Sequence, residues 1–181
     1  MTDLCTTQTA VRRMAVDAFL KQYYRPEKFA QSCNGCPFYG KVWSCPPGVP
    51  DTPAFFAGYT DIYLLGVQVT YTELAHRWRD VQAVQDQTYG LAKRALLETQ
   101  LALEKLFPGA RSIAAGRCER CAHCMRPSGC TCIWPERMRY SFSAFRIDLS
   151  RLADEQLGFP LQWSSGKLPA YHVALGALLV P

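Results

Sequence analysis

The sequence lacks several features that would assign it to a common class of protein. Its N-terminus, MTDLCTTQTAVRR, has no apolar stretch typical of a signal peptide, and no apolar run approaches the roughly 18 residues that span a bilayer. A glycine-rich phosphate loop, an HExxH helix and a GxSxG elbow are also missing. We therefore expect a cytoplasmic protein that does not cross a membrane, and no motif indicates a nucleotide enzyme, a zinc protease or a serine hydrolase.

Cysteine is abundant instead, with nine in 181 residues. A chain of this length buries a sizeable core, so the cysteines are not needed merely to make it fold. An odd number fits poorly with complete disulfide pairing, and a reducing cytoplasm leaves thiols available for metal binding or catalysis. We therefore interpret the clustered cysteines as metal ligands.

The net positive charge of the chain is only weak evidence for an acidic partner. The formal net charge of +5 counts every cysteine as neutral. Each 4Fe-4S cluster with four thiolates carries about −2, so two clusters would lower the total to roughly +1. No helix-turn-helix or RNA-binding signature accompanies the arginines, so we expect no nucleic-acid role.

The stronger metal signal is the second cysteine segment, GRCERCAHCMRPSGCTCIWP, residues 116–135. Cys118, Cys121 and Cys124 follow one another at Cys-x2-Cys-x2-Cys spacing, and Cys132 can complete a set of four. Zinc sites usually use two separated Cys-x2-Cys knuckles, whereas successive spacing is typical of ferredoxin cubanes. The match is imperfect, since the fourth cysteine follows after seven residues instead of three. The pattern favours iron–sulfur, with structural zinc as the alternative.

The first cysteine segment, CNGCPFYGKVWSCPP at residues 33–47, supplies only Cys33, Cys36 and Cys45. Its prolines stiffen the loop, and its aromatic residues could shield a cluster from water. Setting aside Cys5 as an ordinary thiol leaves eight cysteines, enough for two sites of four, and makes Cys130 the first candidate for the fourth ligand. Three other possibilities stay open, namely Cys5, His123 and an exogenous ligand on a Lewis-acidic iron.

These motifs resemble a family known as predicted metal-binding proteins of unknown function. The family reads roughly Cys-x2-Cys-Pro-x-Tyr-Gly-Lys-x-Trp-x-Cys-Pro-Pro, then Gly-x-Cys-x2-Cys-x2-Cys, a further Cys-x2-Pro and a Ser-x-x-Ala-x-x-Ile-Asp stretch. Matching residues run from about residue 30 to the end, including SFSAFRID at 141–148. The chain departs from the pattern at Cys130, which is an extra cysteine, and at Phe142, where the family tends to be acidic. The resemblance implies metal or iron–sulfur binding, with no reaction assigned.

The remaining sequence predicts one α+β domain over residues 1–181. We expect a small, mostly antiparallel sheet with flanking helices and two cysteine-rich metal loops. Apolar spacing and capping signals predict helices over residues 9–24, after Asp51, from about 77 to 107 and around 140–145. Alternating apolar residues predict strands within TDIYLLGVQVTYT, RSIAA and AYHVALGALLV.

The leading functional hypothesis is a cytoplasmic iron–sulfur protein with two 4Fe-4S clusters that acts in electron transfer or supports a redox reaction. One alternative is an enzyme or metallocentre-processing protein with an open iron, which could bind a small-molecule ligand, at the first segment; another is a zinc-stabilised interaction module. Arginines around the second segment form either a solvated surface or a docking face for an acidic redox partner. These are Arg117, Arg120, Arg126, Arg137 and Arg139. The predicted ligands are Cys33, Cys36, Cys45, Cys118, Cys121, Cys124, Cys130 and Cys132.

Overall fold

The fold is built on a four-stranded antiparallel sheet with the spatial order β1-β2-β4-β3. The structure, a computed structural model, describes residues 3–162 and 166–181. Its strands are β1 (Cys5–Ala15), β2 (Asp61–Tyr71), β3 (Arg111–Ile113) and β4 (Tyr171–Val180). The predicted α+β class and the three predicted strands are confirmed.

Within the described residues, six α-helices flank the sheet. They are α1 (Val16–Tyr23), α2 (Thr52–Phe56), α3 (Glu73–Arg77), α4 (Val81–Gln87), α5 (Tyr89–Leu106) and α6 (Leu149–Leu157). The short helix α2 is confirmed, and the Asp51 carboxylate accepts a hydrogen bond from the Ala54 amide as its N-cap. Across the described residues, we find no helix that combines the length and the apolar character needed to cross a membrane.

The two faces of the sheet are covered by different helices. On one face, aromatic side chains such as Phe19 and Phe142 pack against Ile62 and Leu64 of β2. The opposite face is covered by α5, where Leu96 packs against Ala174 of β4. Because β4 is central and buried on both faces, its sequence is almost continuously apolar.

The prediction of a helix over residues 9–24 is wrong for residues 9–15. These residues belong to β1, which pairs with β2 from Cys5 opposite Tyr71 to Ala15 opposite Asp61. The apolar spacing that suggested a helix includes Val11, which is 64% exposed on this edge strand. Eleven residues of continuous pairing and several β-branched side chains outweigh that spacing, and the helix begins only at Val16.

The single long helix predicted from about 77 to 107 is also wrong. A new N-cap at Asp80 separates α3 from α4, and Thr88 leaves the helical region with φ −124° and ψ −84° between α4 and α5. The helix predicted around residues 140–145 is a short 3-10 turn at Phe142–Phe145. Helix α6 was missed, although Asp148 caps it by accepting from the Arg151 amide.

Candidate metal centre

The two cysteine segments, far apart in sequence, pack directly against each other. Ser44 is fully buried, and its hydroxyl oxygen accepts a hydrogen bond from the Cys118 amide at 2.8 Å. The Trp43 indole N–H donates to the Cys130 carbonyl oxygen at 3.2 Å. The fold therefore brings both candidate metal loops into one region of the molecule.

Two arginines of the second segment strengthen this contact. Arg126 Nη1 donates to the carbonyl oxygens of Val42 and Cys45 at 2.8 and 2.7 Å, and its guanidinium lies 4.9 Å from the Trp43 ring centroid. Arg117 lies 3.9 Å over the Phe38 ring. These cation–π and carbonyl contacts hold the first segment onto the second.

The other three arginines connect the second segment to α5. Arg120 and Arg137 both donate to the Glu98 carboxylate, which is half exposed. Arg139 forms a bidentate pair with Glu104, and both side chains are buried. All three guanidinium groups therefore have intramolecular partners, and docking of an acidic partner stays a prediction.

The second segment gathers four thiols around one cavity of about 460 Å³, lined by Cys118, Cys121, Cys124 and Cys132. Burial raises the pKa of the Cys118 thiol, and the backbone N–H of Arg120 opposes that effect. Negative charge on the other three cysteines raises this pKa further, so the four thiols lie close enough to repel one another as thiolates.

The first segment gathers three thiols. Burial raises the pKa of Cys45, a hydrogen bond with the Ser44 hydroxyl lowers it, and charge on Cys33 and Cys36 raises it again. The Cys36 amide donates to the Cys33 carbonyl oxygen at 3.2 Å, which closes a tight turn between these two cysteines. The positive charge of Arg117 also lowers the pKa of Cys45, after the Ser44 hydrogen bond.

The candidates for a fourth ligand lie in different places. Cys130 is exposed, and its Sγ lies 3.7 Å from the Ser128 carbonyl oxygen, although the Trp43 hydrogen bond keeps its backbone beside the first segment. His123 lines the cavity of the second segment. Cys5 lies on β1 and packs in a separate apolar cluster. The fourth ligand of the first segment stays a prediction.

A family model described as predicted metal-binding protein (DUF2284) matches residues 20–179. The chain belongs to this family of predicted metal-binding proteins. The resemblance found in the cysteine motifs is thus confirmed over most of the chain, and with it the general expectation of metal binding. No curated protein and no solved structure gives a significant match.

The cysteine donor set of this member of the predicted metal-binding family suits a thiolate-ligated metal in its chemistry. Metal binding requires deprotonated thiols, and a cation relieves the repulsion among neighbouring thiolates that raises the pKa of Cys45 and Cys118. As the side chains stand, no three Cys, His, Asp or Glu side chains within residues 3–162 and 166–181 form a group that could hold a metal ion. The residues fit a thiolate-ligated metal by chemical type, while closure around a metal requires side-chain movement.

The third family motif, residues 141–148, connects both cysteine segments to the scaffold. The Ser141 amide donates to the Ser44 carbonyl oxygen at 2.9 Å, and Ser141 also pairs with Ala114 next to β3. At the other end, Asp148 caps α6 and forms a 2.7 Å ion pair with Lys28, shortly before the first segment. The motif therefore positions the metal loops without contributing a thiol.

Sequence reasoning missed a polar group on the sheet. The hydroxyl of Tyr71 lies 2.7 Å from His172 Nδ1, and the Tyr89 ring stacks on the imidazole with centroids 4.9 Å apart. These residues come from β2, β4 and the start of α5, so only the tertiary fold joins them. No local sequence pattern could have indicated this cluster.

Proposed function

We propose that this protein is an iron–sulfur protein with a 4Fe-4S cluster at each cysteine segment, acting in electron transfer or in support of a redox reaction on a partner. The observation that carries the proposal is the packing of the two cysteine segments against each other around Ser44. This residue precedes Cys45 of the first segment, and its hydroxyl accepts from the amide of Cys118 in the second. Two redox centres must lie close together to exchange electrons, and this contact supports such an arrangement.

The ring of thiols in the second segment supports a cubane over a single zinc ion. Four sulfurs around one zinc must converge on one point, at about 2.3 Å from the metal. A cubane instead binds each thiolate at a different iron, so it requires thiols distributed around a cavity. Cys118, Cys121, Cys124 and Cys132 all line one cavity, which suits that requirement.

Nearby positive charge suits a centre that gains electrons. Arg117 lies over Phe38 and lowers the pKa of Cys45, and Arg126 donates to the Cys45 carbonyl oxygen. Cationic groups and hydrogen bonds near a cluster stabilise its reduced, more negative state. When bound, the clusters would supply one-electron chemistry, and these side chains would tune its potential.

A second function is favoured by the first segment, because that segment supplies only three thiols. Charge on Cys33 and Cys36 raises the pKa of Cys45, so these three thiols lie near one another. The Cys130 side chain, in contrast, is exposed and lies against the Ser128 carbonyl oxygen. A three-thiolate cubane would leave one iron open to a substrate, as in an enzyme or a metallocentre-processing protein. Cys130 is our first choice for the fourth ligand, and the open iron is the alternative.

Anaerobic purification followed by iron and sulfide analysis and EPR tests the proposal. Two complete cubanes give about eight irons per chain. Four or seven irons would instead indicate one incomplete or open site, and stoichiometric zinc in natively purified protein would refute both iron proposals.

The variant Cys130→Ser then decides the fourth ligand. If Cys130 is a ligand, the variant loses the EPR signal of one cluster, while the matched variant Cys5→Ser keeps both signals. Unchanged spectra in Cys130→Ser would leave the first segment with three thiolates and favour the open iron.

A further inference from the structure

A cavity of about 400 Å³ lies between the start of α5, β4 and the 3-10 turn at Phe142–Phe145. Its walls are mainly apolar, with contributions from Phe142, Leu149, Leu161 and Leu175. Four other cavities of the described chain each include at least one Lys, Arg, Asp or Glu side chain, and this cavity includes none. Its volume lies within the roughly 300–1,000 Å³ typical of sites for small organic ligands.

The polar edge of the cavity is an uncharged cluster around His172. Burial lowers the pKa of His172 and raises that of Tyr71 and Tyr89 to about 12, so all three side chains are neutral at pH 7. When the Tyr71 hydroxyl donates to Nδ1 at 2.7 Å, the imidazole carries its proton on Nε2. Within the described residues, Nε2 has no hydrogen-bond partner, so it remains available as a donor.

We propose that this cavity binds a small, uncharged, mostly apolar organic molecule that carries a hydrogen-bond-accepting oxygen, and that His172 donates to that oxygen. Apolar walls favour an apolar body, and neutral side chains could not compensate the cost of burying a charged ligand. His172 lines the cavity and is partly exposed, so an acceptor oxygen on the ligand can reach its free donor.

The cavity adjoins the second cysteine segment. Ala115 and Gly116 form part of its wall, and Cys118 follows two residues after Gly116. Lys93 links the two regions, since its Nζ lies 5.6 Å over the Tyr89 ring and 3.0 Å from the Glu119 carboxylate. A molecule bound in the cavity would therefore lie close to Cys118 of the candidate metal centre, whichever metal that centre holds.

Calorimetric titration of the natively purified, anaerobic full-length protein with 1-indanone tests the proposal. This aromatic ketone is uncharged, carries one acceptor oxygen and does not alkylate thiols. The matched probe is indane-1-carboxylate, which keeps the bicyclic body and adds a charge. We expect the ketone to bind and the carboxylate to bind at least about tenfold more weakly. Absence of ketone binding up to its solubility limit, or equal binding of both probes, would overturn the proposal.

Three variants locate the binding site. Leu161→Trp fills the cavity and should abolish ketone binding, whereas His172→Phe keeps an aromatic ring and should weaken it about two- to tenfold. The control His76→Phe changes an exposed histidine that also contacts the Tyr71 ring but does not line the cavity. Unchanged ketone affinity in both Leu161→Trp and His172→Phe would overturn the assignment, as would an equal loss in His76→Phe. Circular dichroism establishes folding, and His172→Phe keeps the test decisive if Leu161→Trp does not fold.

Discussion

The two cysteine segments differ in how they are attached to the rest of the molecule. The second segment and the residues just after it are bound directly to α5 by ion pairs, including the buried Arg139–Glu104 pair. The first segment depends largely on the second, through Arg126, Arg117 and the Ser44–Cys118 hydrogen bond. The second segment is therefore anchored to the scaffold by ion pairs, whereas the first is anchored mainly to its neighbour, with the Ser141 amide bond to the Ser44 carbonyl oxygen as a further tie.

The same difference appears in the thiols. The second segment supplies four from one stretch of sequence, and all four line one cavity. The first segment supplies three, and any fourth protein ligand must come from elsewhere in the chain. We infer a hierarchy in which the second site can form alone, whereas the first requires the second segment to be in place.

The largest expected effect tests this hierarchy through metal content. Under the proposed function, Cys36→Ser should remove the metal of the first segment and leave that of the second. Cys124→Ser should remove the metal of the second and also lower that of the first, because the first packs against it. Iron analysis and EPR of both variants, purified anaerobically, measure the asymmetry.

The control for this comparison is Cys5→Ser, which changes a cysteine in a separate apolar cluster. It should retain the full metal content of the wild type. Equal losses in Cys36→Ser and Cys124→Ser would show that neither site depends on the other more strongly, and the hierarchy would then be wrong.

The next largest effect concerns the ion pair between Arg139 and Glu104. Glu104→Gln leaves Arg139 as an unpaired charge that is only 5% exposed, so we expect the free energy of unfolding to fall by about 3–5 kcal/mol. The matched variant Glu98→Gln alters a carboxylate that is 52% exposed, and it should cost about 1 kcal/mol or less. Urea denaturation of both variants at neutral pH measures the difference, and equal costs would contradict the anchoring role of Glu104.

The contribution of Glu104 should also depend on pH. Burial alone would raise the pKa of Glu104, but hydrogen bonds from Arg139 and Ser112 outweigh burial and hold it below the ordinary value of 4.5. A pKa lowered by folding gives stability that is present above 4.5 and is lost as the pH falls through the lowered value. The stability difference between wild type and Glu104→Gln should therefore shrink in acid, and a constant difference down to pH 3 would contradict this linkage.

Local signals were enough to predict part of this molecule. Alternating apolar residues were enough to predict the strand β4, and the Asp51 cap was enough to predict α2. The grouping of Cys118, Cys121 and Cys124 follows from their spacing alone. Features that depend on distant partners were not predictable in this way, because no local pattern records them.

Two cases illustrate the limit. Residues 9–15 carry helical apolar spacing, yet pairing with β2 decides their conformation. Ser44 is one unremarkable serine in a cysteine-rich loop, and its role depends on Cys118, which lies 74 residues away. The sequence indicated the family through its cysteine motifs but could not indicate that the two cysteine segments lie against each other.

The smallest expected effect concerns the hydrogen bond between the Cys118 amide and the Ser44 hydroxyl. Ser44→Ala leaves the partly buried Cys118 amide without its acceptor, so unfolding should become easier by about 1–3 kcal/mol. Ser32→Ala alters an exposed serine just before the first segment, whose hydroxyl donates to Phe29, and should change stability by about 0.5 kcal/mol or less. Urea denaturation compares the two variants.

Metal analysis of Ser44→Ala separates a local effect from a shared one. Ser44 contacts both Cys45 and Cys118, so the variant should lower the metal content of both sites. The loss of metal should be greater at the first segment, because that segment has fewer direct ties to the scaffold. A loss confined to the second segment would reverse the proposed order of dependence.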